Sequence, residues 1–170
     1  KKKINLIYNP YLSKVKNFKR KKFKKPLKIV SAGRLTKQKN FKILIDSVIF
    51  LVSNGHKLEL TIIGSGPLEV YFKNYIKDYN YIKLYSWSDK IEKLLSKNDL
   101  FVLPSLYEGS PNILLDSLNI SLPVLSSDCS VAKDILSNQS KFIFKVNDKE
   151  DLIKKLKFFL LYKNKINIQL

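Results

Sequence analysis

The sequence predicts an α/β fold, a parallel sheet of about six strands with helices on both faces. Short apolar runs alternate with segments of helical periodicity over about 130 residues from Leu27 onward, the rhythm of strand–helix–strand units. The runs are near-continuous Val, Ile and Leu, as expected of strands covered on both faces. In sheets of this kind ligands bind beyond the carboxyl ends of the strands, so the residues that follow each run are the ones to read for function.

Each element has its own signal. Leu27–Ala32 is the first strand, and Asn40 caps a helix running through Ser53 that Asn54-Gly55 closes. Leu58–Ile63 is the second strand; Gly64-Ser65-Gly66 follows, with Pro67 suited to a first helical position. Tyr81–Tyr85 is the third, after which Ser88 opens a helix carrying Ile91, Leu94 and Leu95 on one face. Leu100–Leu103 is the fourth and leads into the turn Pro104–Asn112. Leu122–Leu125 is the fifth, followed by a short helix near Ala132–Leu136. Phe142–Val146 is the sixth, and Asp148 caps a last helix ending near Tyr162. Residues 27–170 thus form one Rossmann-like domain, preceded by a short apolar segment (1–12, closed by Asn9-Pro10) and a basic linker (13–26).

Composition narrows the class. With 45% apolar and 12% aromatic residues, the 170-residue chain can bury a real core and is not a disordered segment. No apolar run approaches the roughly 18 residues of a membrane span, and no signal-peptide pattern opens the chain. The single cysteine, Cys129, cannot form an internal disulfide and is compatible with a reducing cytosol. The absence of methionine marks the chain, in expectation, as a piece of something longer. Of the net charge of +18, residues 1–39 supply 15 basic and no acidic side chains, leaving 17 basic against 14 acidic in the remainder. The excess concentrates in 13–26, read first as a solvated linker and alternatively as an arm for an anionic membrane surface. Only Phe18 and Phe23 interleave with its lysines, too few for a base-stacking platform, which argues against nucleic acid.

The strand ends hold the candidate chemistry. After the first strand, Gly33 permits a turn, and Arg34 and Lys39 suit a diphosphate, with plain solvated cations as the alternative; Lys37 reads as solvated. Gly64-Ser65-Gly66 is neither a full dinucleotide fingerprint nor a Walker loop. The stretch Phe101–Leu118 combines a strand, a turn with Glu108-Gly109, and a helix start at Ser110-Pro111-Asn112. Ser110 is expected to cap that helix, Pro111 to be its first residue and Asn112 to expose an unpaired N–H to an anion. Asp116 lies four residues after Asn112, on the same helical face, whereas Glu108 lies in the turn. The two acids then meet different parts of one ligand, unlike a hydrolase pair flanking one bond, or else are ordinary surface acids. His56 reads as exposed, Trp87 as a packing residue or alternatively one that borders a ligand, and Cys129 as a small buried residue. No cluster has metal-ligand spacing, and no nucleophile–base pair can be assembled.

Four motifs in order carry a resemblance: Ile29–Phe41 (IVSAGRLTKQKNF), Ile62–Leu68 (IIGSGPL), Phe101–Asp116 (FVLPSLYEGSPNILLD) and Leu122–Asp128 (LPVLSSD). Together they resemble the carboxy-terminal, donor-binding half of group 1 glycosyltransferases, retaining enzymes of the GT-B fold, from about Ile4 to Leu161, with Tyr8-Asn9-Pro10 matching the inter-domain hinge. The resemblance implies that Arg34 and Lys39 bind the diphosphate of a nucleotide sugar and that Glu108 contacts hydroxyls of the transferred sugar. It implies further that Gly33 and the turn Gly109, Ser110, Pro111 and Asn112 hold sugar and phosphate, and that Asp116 meets the ribose. Arg34, Lys39 and Glu108 become the catalytic set, with no metal and no cofactor besides the donor substrate.

Asp116 stands where the family has glutamate, Ser86 where a glycine is usual, and Asn119 to Leu122 where a small residue and a glycine are usual. The implied activity is transfer of a hexose from a nucleotide diphosphate sugar, UDP-linked, to a saccharide or lipid-linked acceptor in cell-surface glycan synthesis. The implied partners are that acceptor and an N-terminal GT-B domain, in the cytoplasm or at the inner face of the plasma membrane. Alternatives are an inactive nucleotide-sugar-binding remnant of a split gene, or a basic module for membrane surfaces.

Overall fold

The computed structural model describes residues 26–136 and 140–162. The hinge segment 1–12, the basic linker apart from Pro26, and residues 163–170 lie outside the described residues.

The six expected strands are present as β1 (Leu27–Ala32), β2 (Leu58–Ile63), β3 (Ile82–Tyr85), β4 (Leu100–Leu103), β5 (Val124–Ser127) and β6 (Ile143–Phe144). The helices between and after them are α1 (Phe41–Ser53), α2 (Glu69–Ile76), α3 (Ile91–Leu95), α4 (Asn112–Asn119), α5 (Ser130–Ile135) and α6 (Lys149–Tyr162). All strands pair in parallel in the order β3-β2-β1-β4-β5-β6. The order reverses direction between β1 and β4, the switch point at which sheets of this kind have their crevice, at the carboxyl ends of the strands.

Alternation along each strand sorts its side chains between two cores. Leu27 and Ile29 of β1, Leu60 and Ile62 of β2 and Val102 of β4 pack with Leu44, Val48 and Leu51 of α1, Phe72 of α2, and Leu152, Leu156 and Phe159 of α6. Val30 and Ala32 of β1 and Phe101 and Leu103 of β4 pack on the other side with Leu95 of α3, Leu114 and Leu118 of α4, and Ala132 of α5. Each such Val, Leu, Ile or Phe side chain contributes about 1.5–3 kcal/mol on burial. Strands β4 and β5 are buried at every residue, whereas Lys28 of β1, Glu59 and Thr61 of β2 and Lys83 of β3 keep some exposure, a departure from the near-continuous apolar runs expected. On the outer surface, Lys42 Nζ donates to Asp46 Oδ2 at 2.7 Å, and Tyr75 Oη donates to Asp46 Oδ1 at 2.5 Å, which ties α1 to α2. The Asp46 hydrogen bond, followed by that to Tyr75, holds the Lys42 ammonium above its ordinary pKa.

Several boundaries differ from expectation for identifiable reasons. Asn40 precedes α1 but makes no side-chain cap: it is left-handed, at φ 47°, because it also ends a 3-10 turn over Lys37–Lys39. Its amide donates instead to Asn147 Oδ1 at 3.2 Å. Helix α2 starts at Glu69, two residues after Pro67, because the Leu68 N–H is drawn to the Leu35 carbonyl at 3.0 Å. Ser88 accepts from the Lys90 N–H in a turn, and α3 begins only at Ile91. Strand β5 begins two residues late because Leu122 is held back by the Ser117 carbonyl and Pro123 has no N–H to offer a ladder. Helix α5 starts two residues earlier than expected, behind Cys129. Strand β6 keeps two residues because Phe142 is spent in a 3-10 turn over Ser140–Phe142. Asp148 does cap the last helix, accepting from the Asp151 N–H at 2.9 Å.

Asn119, near the end of α4, is 9% exposed, and its amide nitrogen has no hydrogen-bond partner among the described residues. A desolvated donor of this kind is a cost, and alanine is the better helix former. Asn119→Ala should therefore stabilise the chain by about 1 kcal/mol, read as a higher urea midpoint at unchanged slope.

Candidate functional site

The crevice between β1 and β4 collects most of the residues singled out by sequence. The loop after β1 leaves the sheet at Gly33, whose φ of +153° favours glycine; a Cβ there would also meet Lys39 Cε at 3.3 Å. The aliphatic stem of Lys39 thus lies over Gly33, carrying its ammonium toward the turn after β4. Lys39 Nζ donates to Glu108 Oε1 at 2.6 Å, an ion pair whose side chains are 16% and 6% exposed. The backbone closes the same gap: Leu106 N–H donates to the Gln38 carbonyl at 2.8 Å, and Gln38 Nε2 donates to the Tyr107 carbonyl at 2.9 Å. The loops after β1 and β4 are therefore laced together across the switch point of the sheet. Arg34, on the same loop, is exposed, and its guanidinium has no partner among the described residues. A second cation is thus open to a ligand beside the paired one.

The second strand supports this loop from behind. Gly33 N–H donates to the Ile63 carbonyl and Leu35 N–H to the Ser65 carbonyl, both at 3.0 Å. A Cβ on Gly64 would lie 1.9 Å from the Gly33 carbonyl oxygen, so only glycine permits the two backbones to run this close. The Gly64–Gly66 turn positions the loop that carries Arg34.

The turn after β4 is built from buried serines that sequence reading placed at strand ends without giving them a role. Ser31, Ser105, Ser126 and Ser127 are each 0% exposed. Ser105 Oγ donates to Glu108 Oε1 at 2.5 Å, and Ser127 Oγ donates to the Ser105 carbonyl at 2.6 Å. Ser31 Oγ donates to the Val102 carbonyl at 2.6 Å. Serine at the end of a buried strand, where Val or Ile would be ordinary, was the available signal.

The helix start differs in detail from the expectation. Helix α4 begins at Asn112 with Pro111 as its capping residue, and Ser110 makes no cap. Asn112 N–H is already donated to the Ser110 carbonyl at 2.9 Å, so it is not the unpaired group expected of it. The Pro111 carbonyl accepts from Leu114 N–H instead, which moves the helix start one residue onward. Gly109 and Asn112 are exposed at this end, and Asp116 sits half-buried on the same face of α4 as Asn112. Glu108 and Asp116 thus belong to different elements, the turn and the helix.

The remaining candidates are peripheral. Trp87 is 50% exposed, not packed, because it follows β3 at the edge of the sheet, where no further strand covers it. His56 is half-buried, not fully exposed. Cys129 is buried, and burial pushes its thiol pKa up, which disfavours the nucleophilic thiolate. Among the described residues no three His, Cys, Asp or Glu side chains gather as metal ligands, and no helix is long and apolar enough to cross a membrane.

Known proteins share sequence and fold with this chain. The chain is 34% identical over 124 residues to the amylovoran biosynthesis glycosyltransferase AmsK of Erwinia amylovora, covering 66% of this chain and 30% of that protein. It is 31% identical over 131 residues to the UDP-Gal:alpha-D-GlcNAc-diphosphoundecaprenol alpha-1,3-galactosyltransferase of Escherichia coli, covering 73% and 34% respectively. The chain therefore spans about a third of the length of these relatives. In fold it matches the apo lipopolysaccharide outer core galactosyltransferase WaaB, with a TM-score of 0.74 at 22% identity over 86% of this chain and 43% of that one. It also matches Anabaena HepE in complex with UDP, with a TM-score of 0.71 at 18% identity over 82% of this chain and 40% of that one. The model of the family "Glycosyl transferases group 1" matches residues 13–167, nearly the whole sequence, and the chain belongs to that family.

Proposed function

We propose that this chain is the donor-binding half of a retaining glycosyltransferase that moves a hexose from a nucleotide diphosphate sugar, UDP-linked, to a saccharide or lipid-linked acceptor. The observation that carries the proposal is the crevice at the β1/β4 switch point, with Arg34 and the Lys39–Glu108 pair at its mouth. A diphosphate brings two or more negative charges, and two cations on one loop are the matching partner. Both side chains come from a loop whose backbone is braced by β2 and laced to the next turn, so the loop is held before the ligand arrives.

Catalysis in this scheme is electrostatic. Arg34 and Lys39 stabilise the charge that builds on the departing diphosphate as the sugar bond breaks, and preorganised cations do this without reorganising solvent. Glu108, in the turn, meets hydroxyls of the sugar, while Asp116, on α4, meets the ribose. The acceptor-binding half belongs to a second domain outside this chain, without which the isolated chain binds donor but transfers nothing. The E. coli relative is named for a UDP-Gal donor and a diphosphoundecaprenol-linked acceptor, and others for amylovoran or colanic acid biosynthesis. Those names support a lipid-linked acceptor and a role in cell-surface glycan synthesis; the inner face of the membrane is the location we propose for it. Calorimetric titration of UDP, ADP and GDP into the chain should show saturable binding, tightest for UDP. Absence of binding by any nucleoside diphosphate overturns the proposal.

A further inference from the structure

Glu108 Oε1 accepts from two donors of different mechanical character. Lys39 arrives on a flexible stem with four rotatable bonds, from a loop outside the sheet. Ser105 is 0% exposed, has one side-chain torsion, and sits directly beyond β4. Its main chain is fixed in turn by Ser127 at the end of β5, through the 2.6 Å bond to the Ser105 carbonyl. The carboxylate is thus tied through Ser105 to two neighbouring strands, and through Lys39 only to a loop. Both donors meet Oε1, so Oε2 has no donor among the described residues.

A ligand diphosphate competes with Glu108 for Lys39, because an ammonium serves whichever anion presents the better geometry. If Lys39 alone held the carboxylate, donor binding would release Glu108 at the moment it is needed on the sugar. We infer that Ser105 is a positioning residue for Glu108: it retains the carboxylate through Oε1 while Lys39 passes to the diphosphate, leaving Oε2 for the hydroxyls of the transferred sugar. This inference rests on the reading of the crevice as a donor site.

The test compares UDP with UDP-glucose, UDP-galactose and UDP-N-acetylglucosamine by calorimetry, on the 170-residue chain and its variants. Ser105→Ala should lower the preference for the best UDP-hexose over UDP by about tenfold, with a much smaller change in UDP affinity, because it loosens a hydrogen bond to a charged group. Glu108→Gln should lower the same preference, and adding Ser105→Ala to it should lower it no further. Ser127→Ala keeps the Ser105 hydroxyl and loosens its backbone, so it should move the preference in the same direction by less; it decides the matter should Ser105→Ala fail to fold. Equal losses of UDP and UDP-hexose affinity in Ser105→Ala overturn the inference, as do additive losses in the double variant. An unchanged preference in Ser127→Ala, or a wild-type chain that binds UDP and every UDP-hexose alike, does the same. A wild-type chain that binds no UDP at all overturns the donor-site reading instead.

Discussion

Gly64→Ala is expected to cost about 3 kcal/mol or more and to weaken nucleotide binding with it, because the new methyl group meets main chain that cannot rotate away. The added carbon would stand 1.9 Å from the Gly33 carbonyl oxygen, far inside contact distance. Relief requires the loop after β1 to lift off β2, breaking the Gly33 N–H to Ile63 and Leu35 N–H to Ser65 hydrogen bonds. That loop carries Arg34 and Lys39, so stability and binding should fall together. Urea denaturation and UDP titration on the same preparation provide the check. A variant with wild-type midpoint and wild-type UDP affinity would show that the β1 and β2 loops do not pack as described. Alanine at Gly55 is the contrast for packing: no atom lies within 4 Å of a Cβ there, so its cost comes only from the positive φ of +83°.

The double replacement Arg34→Ala, Lys39→Ala should remove most of the affinity for UDP. Each charge-assisted hydrogen bond to a phosphate is worth about 1.5–3 kcal/mol, so the pair accounts for about 3–6 kcal/mol, or roughly a hundredfold to ten-thousandfold in Kd. The single variants separate two effects. Arg34 is exposed and has no partner among the described residues, so Arg34→Ala should reduce binding and leave stability nearly unchanged. Lys39→Ala also strands Glu108, whose side chain is 6% exposed, with Ser105 as its remaining donor. Removing one partner of such a pair costs about 3–5 kcal/mol when burial is complete, and Lys39→Ala should approach the lower figure. Adding Glu108→Gln should restore part of that stability without restoring UDP binding. Titration of UDP at fixed ionic strength, paired with thermal unfolding, reads both effects. Wild-type affinity in the double variant would refute the assignment of the diphosphate to these two cations.

Strands β1, β2 and β4 were legible to the residue, because buried apolar positions recur through each of them, as Leu58, Leu60, Ile62 and Ile63 do in β2. The late start of β5 and the two-residue length of β6 were not. Leu122 N–H goes to the Ser117 carbonyl, and Lys145 and Val146 N–H go to the Asp151 and Asp128 carboxylates, so each leaves the ladder for a partner that composition does not reveal. The start of α2 shows the same limit. Pro67 is well suited to open a helix, yet Leu68 N–H is captured by the Leu35 carbonyl from a loop 33 residues away.

The site divides along the same line. Strand-end position brought Gly33, Arg34, Lys39, Glu108, Gly109, Ser110, Pro111, Asn112 and Asp116 forward as candidates, because strand–turn–helix order dictates which residues reach the carboxyl edge of a parallel sheet. Resemblance to group 1 glycosyltransferases attached a ligand to them, and the family membership stands. Sequence alone therefore determined the fold class and which candidate residues lie on the strand-end loops, since both follow from periodicity and strand-end position. Only the tertiary structure decided that Lys39 and Glu108 are partners, that Ser105 and Ser127 stand behind the carboxylate, and that Gly64 is required by the Gly33 carbonyl. Those contacts join residues 69, 22 and 31 positions apart, a separation at which spacing carries no geometric information. They exist because the strand order sets β4 beside β1 and β5, and β2 against β1.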